Sequence, residues 1–435
     1  MAHYGILMVE AMGHLLPVSS LANELRRRGH TVTLITCGRM AQAAEQLGLP
    51  TALLPAPARS RLRMPPRSLT FIWRRLFRRD ILARWFRFPG RTRMHLEFSP
   101  AVVRELGLDV LLVDQHVFAG SSVAEHLGLP FITIAVGMHW IGEPDVPPLI
   151  TGWPYAKSPW SRWRNRIGYR FWDWYVRPSL QVLNRFRREW RLPPLLDLDQ
   201  TFSPLAVICQ TCPEFDYPRT RLPATYHYAG SLAAGRPSDA GDFPWDRLDG
   251  RPLIYASLGT VRPNRKPAVF RRIAEACSGL GAQLVISAGK WQENERVHWL
   301  ESAALPGAPL VLPFVPQLAV LEKARLVICH AGLNTVLESL TRSVPMVVLP
   351  QGADQFGTAA RIEYTGVGLR ARSNRVSVAT LRQLVQRVLD DESFRERAGE
   401  LQAALLATGG VVHAADIVER ACETRRPVLR GKTSG

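Results

Sequence analysis

The chain has 435 residues, 46% hydrophobic and 21% charged, with a formal net charge of +18 at pH 7. That length suits two domains, each able to bury a core, and the composition excludes a disordered or fibrous chain. The opening "MAHYGILMVEAMGH" has no basic n-region, and no stretch approaches the roughly 20 apolar residues of a bilayer span. The expectation is a cytoplasmic protein, at most peripheral to the inner face of a membrane. Six scattered cysteines suit a reducing compartment. The lone Cys209-x-x-Cys212 lacks the second pair that zinc would want.

In chain order, "YGILMVE" is a short apolar run, "VSSLANELRRRGH" has helical spacing with Gly29 as a stop, and "TVTLITC" is a second run. Strand, helix and strand make a βαβ unit with parallel pairing. "LDVLLVD", "AGSSVAEHLGLP" and "FITIAVG" repeat it. After Pro218 the chain turns rich in Pro, Gly and Asp, and a new series follows through "RPLIYASLGT", "AQLVISAG", "PLVLPFVP", "RLVICHAG" and "VPMVVLPQG". The expected fold is α/β, two doubly wound domains facing across a cleft. Residues 1–225 would form the first, 226–250 a linker and 251–408 the second, with 409–435 a helix and tail packing back toward the first.

Ligands of open α/β sheets bind beyond the carboxyl ends of the strands. His14, Asp114, Gly259, Thr260, His330, Asp354 and Gln355 all fall just past an expected strand. In "CHAGLNTVLESL" a strand ends near His330, Ala331 and Gly332 turn, and a helix is expected to start near Asn334 or Thr335. Its free N–H groups and dipole make an anion site suited to a pyrophosphate. Glu338, one turn inside, can accept from the vicinal hydroxyls of a ribose. Asp354 and Gln355 offer an acceptor and an amide to a hexose. Phosphate, ribose and sugar in one run point to a nucleotide sugar.

Two stretches, Arg59–Arg93 and Trp153–Pro178, interleave Arg with Trp and Phe. Such a pattern can meet anionic lipid, grip nucleic acid, or be a solvated face rich in arginine. "DLD" at Asp197–Asp199 looks like a metal motif but lies far from the donor run, and it reads as surface. No GxxxxGK[ST], HExxH or GxSxG pattern is present.

Phe314–Gly368 resembles the donor-binding signature of nucleotide-sugar-dependent glycosyltransferases of the GT-B fold. The resemblance implies that Phe314 stacks on the base and Gln317 holds the nucleoside. It gives the diphosphate to His330, Gly332, Asn334 and Thr335 with the loop of Gly259 and Thr260, the ribose to Glu338, and the sugar to Asp354 and Gln355. Leu333, Ala331 and Phe314 depart from the plant pattern of Trp, Cys and Trp, which leaves thymine open beside uracil. "VDQHVFAGSSVAEHLGLPFITIAVG", "EPDVPP", "FSPLAVICQTCPEFDYPRTRLP" and "GGVVHAADIVE" look like the narrower group of bacterial zeaxanthin glucosyltransferases. That likeness implies UDP-glucose as co-substrate, no further cofactor, and a hydrophobic hydroxylated acceptor such as a carotenoid.

An alcohol acceptor needs a general base. His14, between the first strand and helix, is the candidate, with the helix N-terminus expected to disfavour its imidazolium form. Asp114 would orient the other ring nitrogen. The resemblance gives these residues the same roles. The expected reaction is inverting transfer with no metal. Macrolide, sterol and phenolic acceptors stay open, and so does a nucleotide-sugar epimerase, although an epimerase has no need of a base facing a separate acceptor. Nucleic-acid binding, drawn from charge alone, leaves the His330–Gln355 run unexplained, so no nucleic-acid partner is expected.

Overall fold

Two all-parallel sheets, each with helices between its strands, make up the molecule. The computed structural model describes residues 1–55, 79–233, 243–259, 267–289, 305–371 and 376–431, with backbone alone at 39, 79–87 and 267. Thr260, residues 234–242 of the expected linker, and most of the Arg59–Arg93 stretch lie outside the described residues.

The first sheet contains β1 (His3–Leu7), β2 (Thr31–Cys37), β3 (Thr51–Leu54), β4 (Val110–Asp114), β5 (Phe131–Ala135), β6 (Val207–Cys209) and β7 (Tyr226–Tyr228). Their order is β3-β2-β1-β4-β5-β6-β7. Between them run α1 (Met12–Arg27), α2 (Arg39–Gln46), α3 (Arg79–Glu105), α4 (Gly120–Leu127) and α5 (Pro159–Glu189). Because β7 pairs with β6, the sheet continues past the boundary expected at residue 225. A three-residue strand in a turn-rich segment carries too little periodicity to announce itself.

The second sheet contains β8 (Leu253–Ser257), β9 (Gln283–Ser287), β10 (Leu310–Leu312), β11 (Ala324–Cys329), β12 (Met346–Val348) and β13 (Gly368–Arg370), in the order β10-β9-β8-β11-β12-β13. Its helices are α6 (Pro267–Cys277), α7 (Gln317–Lys323), α8 (Leu333–Leu340), α9 (Gln355–Tyr364), α10 (Val378–Asp390) and α11 (Ser393–Ala407). The last helix, α12 (Gly410–Thr424), returns to the first half and packs on α1. It buries Ala414, Ala415, Ile417, Val418 and Ala421, and Arg28 of α1 bridges to Asp416 and Glu419.

Residues 393–424 are long and apolar enough to cross a membrane, which the sequence reading did not expect. The segment is nonetheless broken at Gly409 and Gly410, both at positive φ, and its second part docks on α1 through the apolar face and ion pairs just described. It is therefore a structural arm of the fold.

Strand order reverses between β1 and β4 in one sheet and between β8 and β11 in the other, and such switch points open the crevice where ligands sit. Leu7 pairs with Val113, which leaves Asp114 one residue further on, beside the β1–α1 turn. Ser257 pairs with Cys329, which leaves His330 facing the loop that follows β8.

The halves share a core as well as a cleft. Met138, Cys212 and Phe215 from the first half pack into the apolar cluster of the second. Around them lies a buried ionic hub. Asp216 accepts from Nε and Nη2 of Arg361 on α9 at 2.8 and 2.7 Å, and from Arg219, His139 and Tyr228. Burial, with Arg219 nearby, pushes the His139 imidazole down to about 4. It therefore donates as a neutral ring.

Candidate active site

Asp114 closes β4 with a fully buried carboxylate. It accepts the Nδ1 proton of His14 at 2.6 Å and the backbone N–H of His116 at 3.0 Å. His14 is on Oδ2, while the His116 ring nitrogen joins its own backbone N–H on Oδ1 at 3.3 Å, and the two imidazoles meet edge to face at 4.9 Å. His116 was not singled out in the sequence. Its only signal there is a second titratable residue two positions beyond Asp114.

Burial opposes charge on His14, but the carboxylate of Asp114 more than offsets it, with Asp354 adding from across the cleft, and the net shift is upward. This corrects the expectation that the α1 N-terminus would disfavour the imidazolium. A helix end carries about half a charge, whereas Asp114 presents a full one at contact distance. Burial works against the Asp114 carboxylate, yet His14 and His116 hold it well below the usual carboxylate range.

Ligand atoms of His14, Asp114 and His116 lie within 4.8 Å of one another, the one such group among the described residues. A 2.6 Å contact between Nδ1 and Oδ2 is bridged by a proton and leaves no room for an ion between them. Cys209 and Cys212 are buried free thiols. Asp197 and Asp199 are exposed, at and just before a short 3-10 turn, Asp199–Thr201.

Across the cleft, α8 starts at Leu333 with Gly332 as its N-cap and no side-chain cap. The start lies one residue earlier than expected, and neither Asn334 nor Thr335 caps the helix. The first-turn N–H groups lack intrahelical partners and point at the cleft, beside the half-buried ring of His330. Gly259 and Gly332 are packed against that ring: a Cβ on either would come within 2.7 Å of its Nε2.

The side chain of Asn334 ties the two halves together. Its amide donates to the carbonyl oxygen of Gly13 at 2.5 Å, and its oxygen accepts from Gln210 of the first half at 2.8 Å. Thr335 is buried in the first turn.

Gln317 and Glu338 are brought together. Gln317 donates to the buried Glu338 carboxylate at 2.5 Å and accepts from the Tyr255 hydroxyl at 3.0 Å. Phe314 presents an open ring, 67% exposed, at the turn before α7. Asp354 is the N-cap of α9, and Gln355 turns its amide oxygen back onto the N–H groups of Gln351 and Gly352. Only the NH₂ of Gln355 then remains available to a ligand. A Cβ on Gly137 would stand 3.2 Å from the His116 ring and 3.6 Å from Asp354 Oδ2, so Asp354 and the pair of His14 and His116 converge there. Beside the pair, Val9, Phe88, Met94, Val117 and Phe118 line a small recess together with Glu10, Arg91, Thr92, His95 and His116.

Paired switch-point crevices, a carboxylate-backed histidine on one side and a helix N-terminus on the other are the geometry of a group-transfer enzyme. Residues 175–404 match the family described as UDP-glucoronosyl and UDP-glucosyl transferase, and the chain belongs to that family. It is 32% identical over 443 residues to the zeaxanthin glucosyltransferase of Pantoea ananas, covering 99% of this chain and 98% of that one. With the zeaxanthin glucosyltransferase of Pseudescherichia vulneris it shares 33% identity over 421 residues, 97% of this chain and 98% of the relative. Among solved structures it is similar to the glycotransferase of kitacinnamycin, with a TM-score of 0.74, 24% identity, and coverage of 96% of this chain and 98% of that one. The calicheamicin glycosyltransferase CalG4 gives 0.72 at 20% identity, over 98% and 100% of the chains. The fold is GT-B, as the sequence implied.

Proposed function

We propose that the chain transfers glucose from UDP-glucose, with inversion, to a hydroxyl of a hydrophobic acceptor of the carotenoid type, zeaxanthin being the first to test. The observation that carries the reaction is the 2.6 Å hydrogen bond from His14 to the buried Asp114, at the switch point facing the donor half. The acceptor class is supported by the two relatives similar over almost the whole chain.

His14 Nε2 takes the proton of the acceptor hydroxyl, and that oxygen attacks the anomeric carbon from the face opposite the diphosphate. The bond from carbon to the diphosphate oxygen breaks with its electron pair. The resulting negative charge falls on the N–H groups of α8 and on His330. The proton stays on His14, stabilised by Asp114, until product leaves. An α-linked donor gives a β-glycoside. With the leaving group neutralised by backbone and imidazole donors, the step requires no divalent metal. Glu338 and Gln317 hold the ribose and nucleoside, and Asp354 with the Gln355 NH₂ holds the sugar.

A thymidine diphosphate donor is the second reading. Phe314 is open enough for the 5-methyl of thymine, and a glycosyltransferase of this fold, VinC, was solved in complex with DTDP at a TM-score of 0.69.

The test is product analysis by mass spectrometry with UDP-glucose and zeaxanthin in detergent, with and without a chelator, beside His14→Ala. A hexose adduct that survives chelation and disappears in the variant supports the reading. Donor binding without any adduct would discard the carotenoid.

A further inference from the structure

We propose that the outward face of α5 is a docking surface for an anionic lipid bilayer. The argument rests on that surface alone and not on which acceptor is used. The helix is 31 residues long, started by Pro159 and a reciprocal Ser158–Ser161 cap. Ser161, Asn165, Gly168, Tyr175, Ser179 and Leu183 are buried along its inner side. On the outer side Trp160, Trp163 and Ile167 are 66%, 50% and 46% exposed. They follow one another at spacings of three and four, on one stripe that continues through the exposed Arg170 and Arg177.

Large apolar side chains on consecutive turns are costly in water, and an indole, apolar in body with one N–H, suits the boundary between headgroups and acyl chains. The charge around them matches that surface. The helix carries eight arginines against Asp173 and Glu189. Arg162 is paired to Asp145 and Arg187 to Glu125. Among the described residues Arg166, Arg170 and Arg177 have no ion-pair partner, and all three are exposed, Arg166 within a turn of Trp163 and the others further along the helix. Cations flanking an apolar stripe are what an anionic headgroup layer attracts.

Two other occupants fit less well. Trp160 and Trp163 stack on each other with centroids 4.8 Å apart at 24°, so their inner faces are closed to a nucleobase. A second copy of the helix would bring arginines against arginines across a two-fold interface. The position also fits a bilayer-borne substrate. The inner side of α5 reaches the basic pair through ring contacts from Trp172 to Trp140 at 6.2 Å and from Trp140 to His116 at 5.5 Å. The indole stripe therefore lies on the acceptor side of the molecule.

The experiment is co-sedimentation of the full chain with vesicles of phosphatidylcholine alone and of phosphatidylcholine with phosphatidylglycerol, at low and high salt. Tryptophan emission, single-stranded RNA binding and size-exclusion elution are read in parallel. The expected result is pelleting that needs phosphatidylglycerol, weakens with salt, and is accompanied by a blue shift. Trp160→Ser/Trp163→Ser and Arg166→Glu/Arg170→Glu should each lower partitioning by about tenfold or more, with thermal unfolding unchanged. These residues lie outside the donor and base sites, so transfer to a water-miscible acceptor should persist in both variants. Equal pelleting with neutral vesicles, or variants that pellet like the parent, would overturn the proposal. So would RNA binding or dimerisation that the same substitutions abolish in the absence of vesicle binding.

Discussion

Asn334, in the first turn of α8 of the donor half, donates its side-chain amide to the carbonyl oxygen of Gly13, the residue before His14. Helix α8 thus holds the backbone beside His14 directly, and Gln210 holds Asn334 from the other side. Asn334→Ala should lower kcat/KM on the order of 10-fold, through the lost bond and a looser base. Thermal unfolding should move little. Steady-state kinetics beside calorimetry of the nucleotide distinguish the two roles: unchanged donor affinity with reduced kcat marks positioning, and a matching loss of affinity marks phosphate contact.

The proposed role of His14 as base predicts a pH dependence. A proton acceptor must be neutral, so kcat/KM should fall as pH drops through the His14 pKa of the free enzyme. Asp114 shifts that pKa upward against the effect of burial, which puts the acidic limb above the ordinary histidine value. Asp114→Asn should move the limb to lower pH and reduce the plateau by about 10²- to 10⁴-fold, because the ring loses both its orientation and its counter-charge. A pH–rate profile whose limb stays in place in this variant would remove Asp114 from the role.

The hub at Asp216 predicts a different kind of loss. Asp216→Asn leaves Arg361 and Arg219 buried without their charge partner, which should cost about 3–5 kcal/mol in denaturant unfolding. Arg361→Met alone should also destabilise. The double variant should lose less than the sum of the singles, since it leaves only Arg219 without Asp216, and Arg219 keeps Glu143 at 3.9 Å.

At the phosphate end, Gly332→Ala would drive a methyl into the His330 ring. The ring must turn away, and the donor KM should rise by roughly 10-fold or more as one diphosphate contact is lost. His330→Ala in the same background should add little further, because the two changes remove the same contact.

Much of this site is readable in the sequence, because a parallel sheet announces its carboxyl ends. Asp114 ends "LDVLLVD" and His330 follows "RLVIC", and strand order alone then sets each beside a switch point. What spacing does not carry is the direction of a side chain across a cleft. The segment "GLNT" suggests a cap and a phosphate ligand at Asn334, yet its partner lies 321 residues away. The same holds for Asp216, in an ordinary-looking "PEFDYP", whose arginine comes from α9 of the other half. The direction of the His14 shift is hidden from the sequence for a related reason. A helix terminus is visible in a sequence, while a buried carboxylate 100 residues on is visible only once the fold has placed it.

The chain passes between its halves twice, once after β7 and again between α11 and α12. At those crossings the backbone of Gly230 lies against Leu405 and Thr408, and Gly410 approaches Ser231. Two covalent tethers set far apart would brace the cleft at a fixed width. Tethers that touch instead share one pivot, and glycines at positive φ stand on both. With the crossings so close, the chain itself does little to fix the width of the cleft, and that task falls to the contacts between the halves: the shared core at Met138, Cys212 and Phe215, Asn334 on Gly13, and the Asp216–Arg361 pair.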